Sequence, residues 1–231
     1  MGPFGDLFNG VRKMKKIILH LCADLGSDSY PYQTDDTYEV VRVGQDIGVE
    51  NLYFAYECVI VGGLELSYYD IVGIIANPPC TEFSTARTNG KAREGEQGFN
   101  LVDECLRVIE EVKPDWWVLE NPARGTLKNY LGEPVYKYEP WWYGSPWTKQ
   151  TALWGKFNIP ARKYNKWEEV QQNDKLYIRP NRPKPSLAFL HKSAVHNIPE
   201  FKPFIDHVHC DADFRSLCSQ GFANAFKDVN L

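Results

Sequence analysis

The 231 residues predict an α/β fold with a doubly wound parallel sheet and a small irregular insertion. Three observations carry this. Short, continuously apolar runs recur with turn residues at their ends, the pattern of strands buried on both faces of a sheet. A segment of helical period separates two of these runs, as a parallel crossover requires. Hydrophobic residues make up 43% of the chain and charged residues 24%, an ordinary balance for one buried core.

Ile17-Ile18-Leu19-His20-Leu21-Cys22 is the first strand. Glu39 to Val43 is the second and ends at Gly44-Gln45-Asp46. Asp70 to Ala76 is the third, stopped by Asn77-Pro78-Pro79 because proline cannot donate to a central ladder. From Gly98 to Val112, the apolar residues Phe99, Val102, Cys105, Leu106, Ile109 and Val112 share one helical face, and Lys113-Pro114 closes the helix. Trp116 to Leu119 is the next strand, followed by Glu120-Asn121-Pro122, and Thr151 to Trp154 is a later one. Between them, Pro134 to Trp147 is rich in aromatics and prolines and shows no clean period. Pro180, Pro183, Pro185, Pro199 and Pro203 stand among basic and polar residues and mark an irregular insertion. Phe222, Ala225, Phe226 and Val229 predict a helix over Phe214 to Val229. The expected organisation is a leader or poorly ordered N-terminus at 1–13, a catalytic domain at 14–155, a target-recognition insertion at 156–210 and a C-terminal helix at 211–231 that returns to the catalytic domain.

Ligands of doubly wound sheets lie beyond the carboxyl ends of the strands. Cys80 and Glu120 each follow such an end. A cysteine held by a Pro-Pro turn is fixed and partly exposed, which suits a nucleophile better than a core thiol. The other five, Cys22, Cys58, Cys105, Cys210 and Cys218, form no CxxC pair and read as free thiols.

The blocks Pro78-Pro79-Cys80-Thr81-Glu82-Phe83-Ser84 and Glu120-Asn121-Pro122 resemble, in order and spacing, the PPCxxFS and ENV-type signatures of the cytosine-C5 DNA methyltransferases, in the compact form that phage genomes often encode. That resemblance implies a Rossmann-like, S-adenosylmethionine-dependent methyltransferase sheet and a cytosine-containing DNA partner. In the family a thiolate adds to C6 of a flipped cytosine, making C5 nucleophilic toward a methyl group. Carried onto this chain, Cys80 is the nucleophile and Glu120 contacts the N3 and N4 edge, with Pro79 and Ser84 against the substrate. The chemistry is sound by itself: an aromatic pyrimidine needs covalent activation, and an acid at N3 relieves the charge that addition creates.

The resemblance places cofactor contacts at Asp24, Leu25 and Gly26, where the family carries Asp-Leu-Phe-x-Gly-x-Gly; here Gly26 survives and the aromatic is missing. It adds Asp46 and Ile47 after the second strand, and Asn224 in the last block, Arg215 to Phe226. No QxRxR block occurs. Lys149, in Trp147 to Trp154, stands in its place and would put positive charge near the cytosine O2. Arg179 and Arg182 are rivals for that role and also suit phosphate contact.

The cluster Tyr138, Trp141, Trp142, Tyr143 and Trp147 suits either base stacking or core packing. His207 and His209 alternate without a set of four ligands, so no metal is expected. A net charge of −4 argues against an all-over electrostatic grip on nucleic acid and allows a local basic cleft. No apolar run reaches the ~18 residues of a membrane span, and a cytoplasmic, membrane-free location is expected, the host's if the chain is phage-encoded. Two other readings stay open: a pyrimidine C5-modifying transferase with a nucleotide substrate or a non-methyl donor, and an inactive relative that binds DNA or protein.

Overall fold

A computed structural model of the chain describes residues 15–44, 52–55, 58–61, 63–80, 83 and 95–231. The expected leader at 1–13, and Asp46, Ile47 and Ser84, lie outside the described residues. In chain order the elements are β1 (Lys16–Leu21), α1 (Tyr30–Gln33), β2 (Tyr38–Val43), β3 (Leu52–Ala55), β4 (Cys58–Val61), β5 (Leu64–Ser67), β6 (Ile71–Ala76) and α2 (Gly95–Val112). There follow β7 (Trp116–Pro122), α3 (Lys128–Leu131), β8 (Tyr136–Tyr138), β9 (Thr151–Lys156), α4 (Asp211–Ser216) and α5 (Gln220–Val229).

The main sheet has the order β2-β1-β6-β7-β9-β8. β1 pairs in parallel with β2 and β6, and β6 with β7. β9 is antiparallel to both β7 and β8, so it alone runs against the rest. The sheet is thus the mostly parallel α/β sheet expected, with β9 as a reversed strand. The link from β8 to β9 contains only a 3-10 turn at Pro140–Tyr143, and with no crossover helix to carry the chain back, β9 enters reversed.

Strand alternation divides the core. Ile17, Leu19 and Leu21 join Ile74, Ala76, Leu119 and Trp154 on the face covered by α2. Ile18, Ile75, Val118 and Leu153 point the other way, beneath Phe222, Ala223 and Phe226 of α5 and Tyr32 of α1. Gly73 of β6 is required here, because a Cβ would stand 2.2 Å from the Trp116 ring that lies across it. Residues 157–210 form only 3-10 turns yet bury an apolar cluster of their own, which includes Leu176, Leu187 and Phe201 and takes in Trp147, Phe214 and Leu217.

Two features depart from the expected elements. β3, β4 and β5 form a separate antiparallel sheet whose Val59 and Leu66 enter the α2-side core; the sequence signal for its second hairpin is Gly62-Gly63. The expected helix over 214–229 is two helices. Leu217 is buried in the insertion's cluster, and the Ser219 hydroxyl accepts from Phe222 N at 3.2 Å to start α5 afresh.

Phe222 stacks on Tyr138 with ring centroids 3.7 Å apart and both rings buried. Phe222→Ala is expected to lower unfolding free energy by about 3–5 kcal/mol in urea titrations. A loss under ~1 kcal/mol would show that α5 is not part of the cooperative core.

Candidate active site

β6 and β7 lie side by side with Ala76 opposite Leu119; β6 stops there, whereas β7 runs on through Glu120, Asn121 and Pro122, paired to β9. Asn77 begins the loop that carries Cys80, and Glu120 stands beside it. Two interactions clamp that loop, one to the end of β7 and one to the chain beyond it. The Asn121 side-chain amide donates to the Pro78 carbonyl at 3.0 Å. Thr126 N donates to the Phe83 carbonyl at 2.8 Å. Between these points Phe83 N donates to the Cys80 carbonyl at 3.1 Å, closing a turn. The Phe83 ring is buried edge-on against Phe99 of α2, 5.4 Å between centroids. Cys80 is thereby exposed on a turn fixed at both ends. On its other side the loop meets His20, whose ring lies 3.0 Å from Asn77 Oδ1 and 2.8 Å from Ser29 Oγ.

The charged groups around Cys80 act on one another. Burial pushes the Glu120 carboxyl up to about 7, opposed by Lys149 and reinforced by Asp28, while the Thr151 hydroxyl bonds to the carboxylate. Burial works to lower Lys149, yet Glu120, Asp28, Cys218 and Cys80 together hold its pKa above the ordinary value. Its ammonium donates to the carbonyls of Ser216 at 3.1 Å and Leu217 at 3.3 Å, where α4 ends. The Cys80 residue is exposed, but its sulfur lies against protein: desolvation raises its pKa, Glu120 adds to this, and Lys149 opposes it. The expected catalytic set of Cys80, Glu120 and Lys149 therefore comes together. Asp28 and Cys218 join it and line, with Glu120, Val118 and Phe222, a cavity of about 20 Å³, room for about one water. Their presence has no sequence signal, because Cys218 reaches the site through a contact spanning 191 residues, its N–H donating to Ser27 Oγ.

The loop beyond β1 is a tight turn. Cys22, Asp24 and Gly26 all have positive φ, and Gly26 N donates to the Ala23 carbonyl at 2.7 Å. Arg42 reaches over from β2, donates to the Leu25 carbonyl at 3.1 Å and occupies the space a Cβ on Gly26 would need. Leu25 packs toward the insertion's cluster, whereas Asp24 is exposed and near enough to Cys80 to raise its pKa. Acidic groups at the carboxyl end of β1 suit a ligand with a cationic centre next to Cys80.

Other nominated residues lie elsewhere. Asn224 is exposed, and its amide turns onto the Gln220 carbonyl at 2.6 Å while Phe222 and Ala223 face the cavity. Arg179 and Arg182 are exposed in the insertion, with the Arg179 guanidinium 4.7 Å from the Phe189 ring centroid. The aromatic cluster divides: Tyr138, Tyr143 and Trp147 are buried, and Trp141 and Trp142 are half-buried. His207 and His209 are exposed, and no group of ligating side chains among the described residues is arranged to hold a metal. No helix among the described residues is long and apolar enough to cross a membrane.

A carboxyl with a raised folded-state pKa favours folding below its unfolded pKa, and that contribution is lost as pH rises through the folded value. For Glu120 the window runs from about 4.5 to about 7. The stability of Glu120→Gln relative to the parent chain is therefore expected to improve across that window by at most about 3 kcal/mol, measured by urea unfolding at a series of pH values. A difference that does not change with pH would contradict the buried carboxyl.

Residues 60–135 match the family model for C-5 cytosine-specific DNA methylases. The chain is 30% identical over 103 residues to a frog virus 3 (isolate Goorha) protein named "Probable DNA (cytosine-5)-methyltransferase", covering 37% of this chain and 45% of that protein. It is 37% identical over 54 residues to the type II methyltransferase M.HgiGI of Herpetosiphon aurantiacus, covering 23% of this chain and 40% of that one. The chain thus spans less than half the length of these relatives. Against the solved structure of the Entamoeba histolytica methyltransferase EhMeth the TM-score is 0.37 at 10% identity, over 72% of this chain and 61% of that one. The match over residues 60–135 takes in the Cys80 loop, β7 and Glu120, so the family this chain resembles through its candidate site is that of the C-5 cytosine-specific DNA methylases.

Proposed function

We propose that the chain is a DNA (cytosine-5)-methyltransferase that uses S-adenosylmethionine. The observation that carries this is the convergence of the Cys80 thiol, the Glu120 carboxyl and the Lys149 ammonium at adjacent strand ends. A cytosine reaches such a site only when turned out of its stack, at a cost of a few kcal/mol that contacts in the pocket offset. Cys80 gives up its thiol proton to solvent, the adjacent Lys149 ammonium opposing the burial that raises its pKa; the thiolate then forms a bond to C6, and the displaced C5–C6 electron pair spreads over C5, N3 and O2. With a pKa of about 7, Glu120 carries a proton for N3 through a large part of the neutral range. Lys149, charged and held by two carbonyls, opposes the negative charge on the ring. When bound, S-adenosylmethionine supplies an electrophilic methyl on a sulfonium; Asp24 and the turn at Gly26 would hold it, with Asp46 and Ile47 beyond β2. Loss of the C5 proton and departure of the thiolate restore the aromatic ring and free Cys80.

The same pyrimidine-activating half would serve a different donor, and the filling of the Gly26 turn by Arg42 favours that as the second reading. Mass spectrometry of nucleosides from DNA incubated with the protein and S-adenosylmethionine separates the two: 5-methylcytosine supports the first reading, and its absence opposes it.

Cys80→Ser is expected to abolish product while DNA binding persists, and Lys149→Ala to lower turnover by about 10²–10³. Undiminished turnover in Cys80→Ser would sink the covalent mechanism.

A further inference from the structure

β1 carries one polar residue among its buried positions. In Ile17-Ile18-Leu19-His20-Leu21 every neighbour of His20 is apolar, and His20 itself has no exposed surface. A buried polar group costs stability unless it is bonded, so its partners carry the meaning. The ring reaches both loops of the site. Nε2 faces Asn77 Oδ1 at 3.0 Å, at the start of the loop that bears Cys80, and Nδ1 faces the Oγ of buried Ser29 at 2.8 Å, on the loop after β1. Counting hydrogens fixes the direction of both bonds. Burial holds the ring's pKa below its ordinary value, with Arg42 assisting and Asp28, Asn77 and Asp24 opposing, so one ring nitrogen donates and the other accepts. Asn77 Oδ1 has no hydrogen to give. Nε2–H therefore donates to it, and Nδ1 accepts from the Ser29 hydroxyl. That hydroxyl also lies 3.2 Å from the Gly26 carbonyl, on the turn assigned above to the donor.

We propose that His20 is a positioning residue for Cys80: it holds the Asn77 side chain from the β1 side and takes its own tautomer from Ser29 on the loop of the Gly26 turn. The effect on turnover rests on the reading of Cys80 as the nucleophile. Asn77 N donates to the Leu21 carbonyl at 3.0 Å and extends the pairing of β1 with β6 by one residue. Pro78 and Pro79 carry no N–H, so the backbone ladder ends there. The bond from His20 to the Asn77 side chain continues the hold of β1 on the loop past that end, while Asn121 grips the Pro78 carbonyl from β7. A histidine that merely filled its place in the core could take any partners. These two join the turn after β1 to the loop of the nucleophile, so whatever fixes the Gly26 turn also fixes Asn77.

The test measures turnover and, separately, the Cys80 thiol pKa, read in the full chain from the pH dependence of alkylation by iodoacetamide and mapped to Cys80 by mass spectrometry. Burial, Glu120, Lys149 and Asp24 set that pKa, so a loop that drifts from them lets it fall back toward its ordinary value. His20→Asn keeps an amide where Nδ1 stands and is too short for Asn77. His20→Gln keeps one where Nε2 stands and gives up Ser29. Each loses one buried hydrogen bond, so a merely structural histidine would make the two equally harmful. His20→Asn is expected to lower kcat about tenfold with KM for S-adenosylmethionine unchanged, and to lower the Cys80 pKa; His20→Gln is expected to restore both to near the parent values. Asn77→Ala removes the same tie from a half-buried position, keeps the test open should His20→Asn fail to fold, and is expected to match it. Equal damage in His20→Asn and His20→Gln, or a Cys80 pKa unmoved in both His20→Asn and Asn77→Ala, overturns the proposal. A parent chain that makes no 5-methylcytosine refutes the proposed reaction, and the pKa series then decides the positioning role by itself.

Discussion

Two hydrogen bonds govern this molecule: from Asn121, near the end of β7, to the Pro78 carbonyl, and from Thr126 to the Phe83 carbonyl. They bracket Cys80 and tie it to the segment that carries Glu120. Without them the cysteine would sit on a loop free to sample many positions, and covalent catalysis loses orders of magnitude when the reacting atoms drift by about an ångström. The rest of the structure serves to set up this junction. Parallel pairing of β6 and β7 sets the start of the Cys80 loop beside the last residues of β7, the buried Phe83 ring anchors the far end of the cysteine turn, and Gly125 lets the backbones approach, since a Cβ there would stand 3.0 Å from the Phe83 carbonyl.

On this frame the protein assembles charge in a poorly hydrated place. A carboxyl, an ammonium and a thiol held together shift one another; the carboxyl and ammonium shifts fit a division of labour, while the thiol, held up by burial and Glu120, depends on Lys149 to favour its thiolate. Glu120 keeps a proton near neutral pH, and Lys149 keeps its charge despite burial because Glu120 and Asp28 face it. The ammonium is anchored from the far end of the chain, by carbonyls at the α4 terminus. The break between α4 and α5 thus has a use: it exposes carbonyls that a continuous helix would have consumed in its own hydrogen bonds.

The sheet and the paired Cys80 and Glu120 were legible in the sequence because they depend on local signals: apolar runs, prolines after Ala76, and a motif with fixed order. Lys149 was legible by its position before β9. The reversed direction of β9 was not, because it follows from the absence of a crossover helix, which a stretch of tryptophans and prolines does not announce. Asp28 and Cys218 were not legible either, since their partners lie far along the chain and only folding brings them to Glu120. Asn224 shows the reverse case. Its block lies where a family pattern would put it, but the helix turns the side chain outward and gives the cavity to Phe222 and Ala223.

The proposed bond between Cys80 and cytosine C6, formed beside Glu120, can be trapped. A cytosine with fluorine at C5 interrogates it, because release of the thiolate requires loss of a proton from C5 and fluorine cannot leave as a cation. Incubating the protein with S-adenosylmethionine and DNA that carries 5-fluorocytosine, then mapping the modified peptide by mass spectrometry, is expected to find the nucleotide on Cys80. No adduct, or an adduct on another cysteine such as Cys218, would rule out Cys80 as the nucleophile.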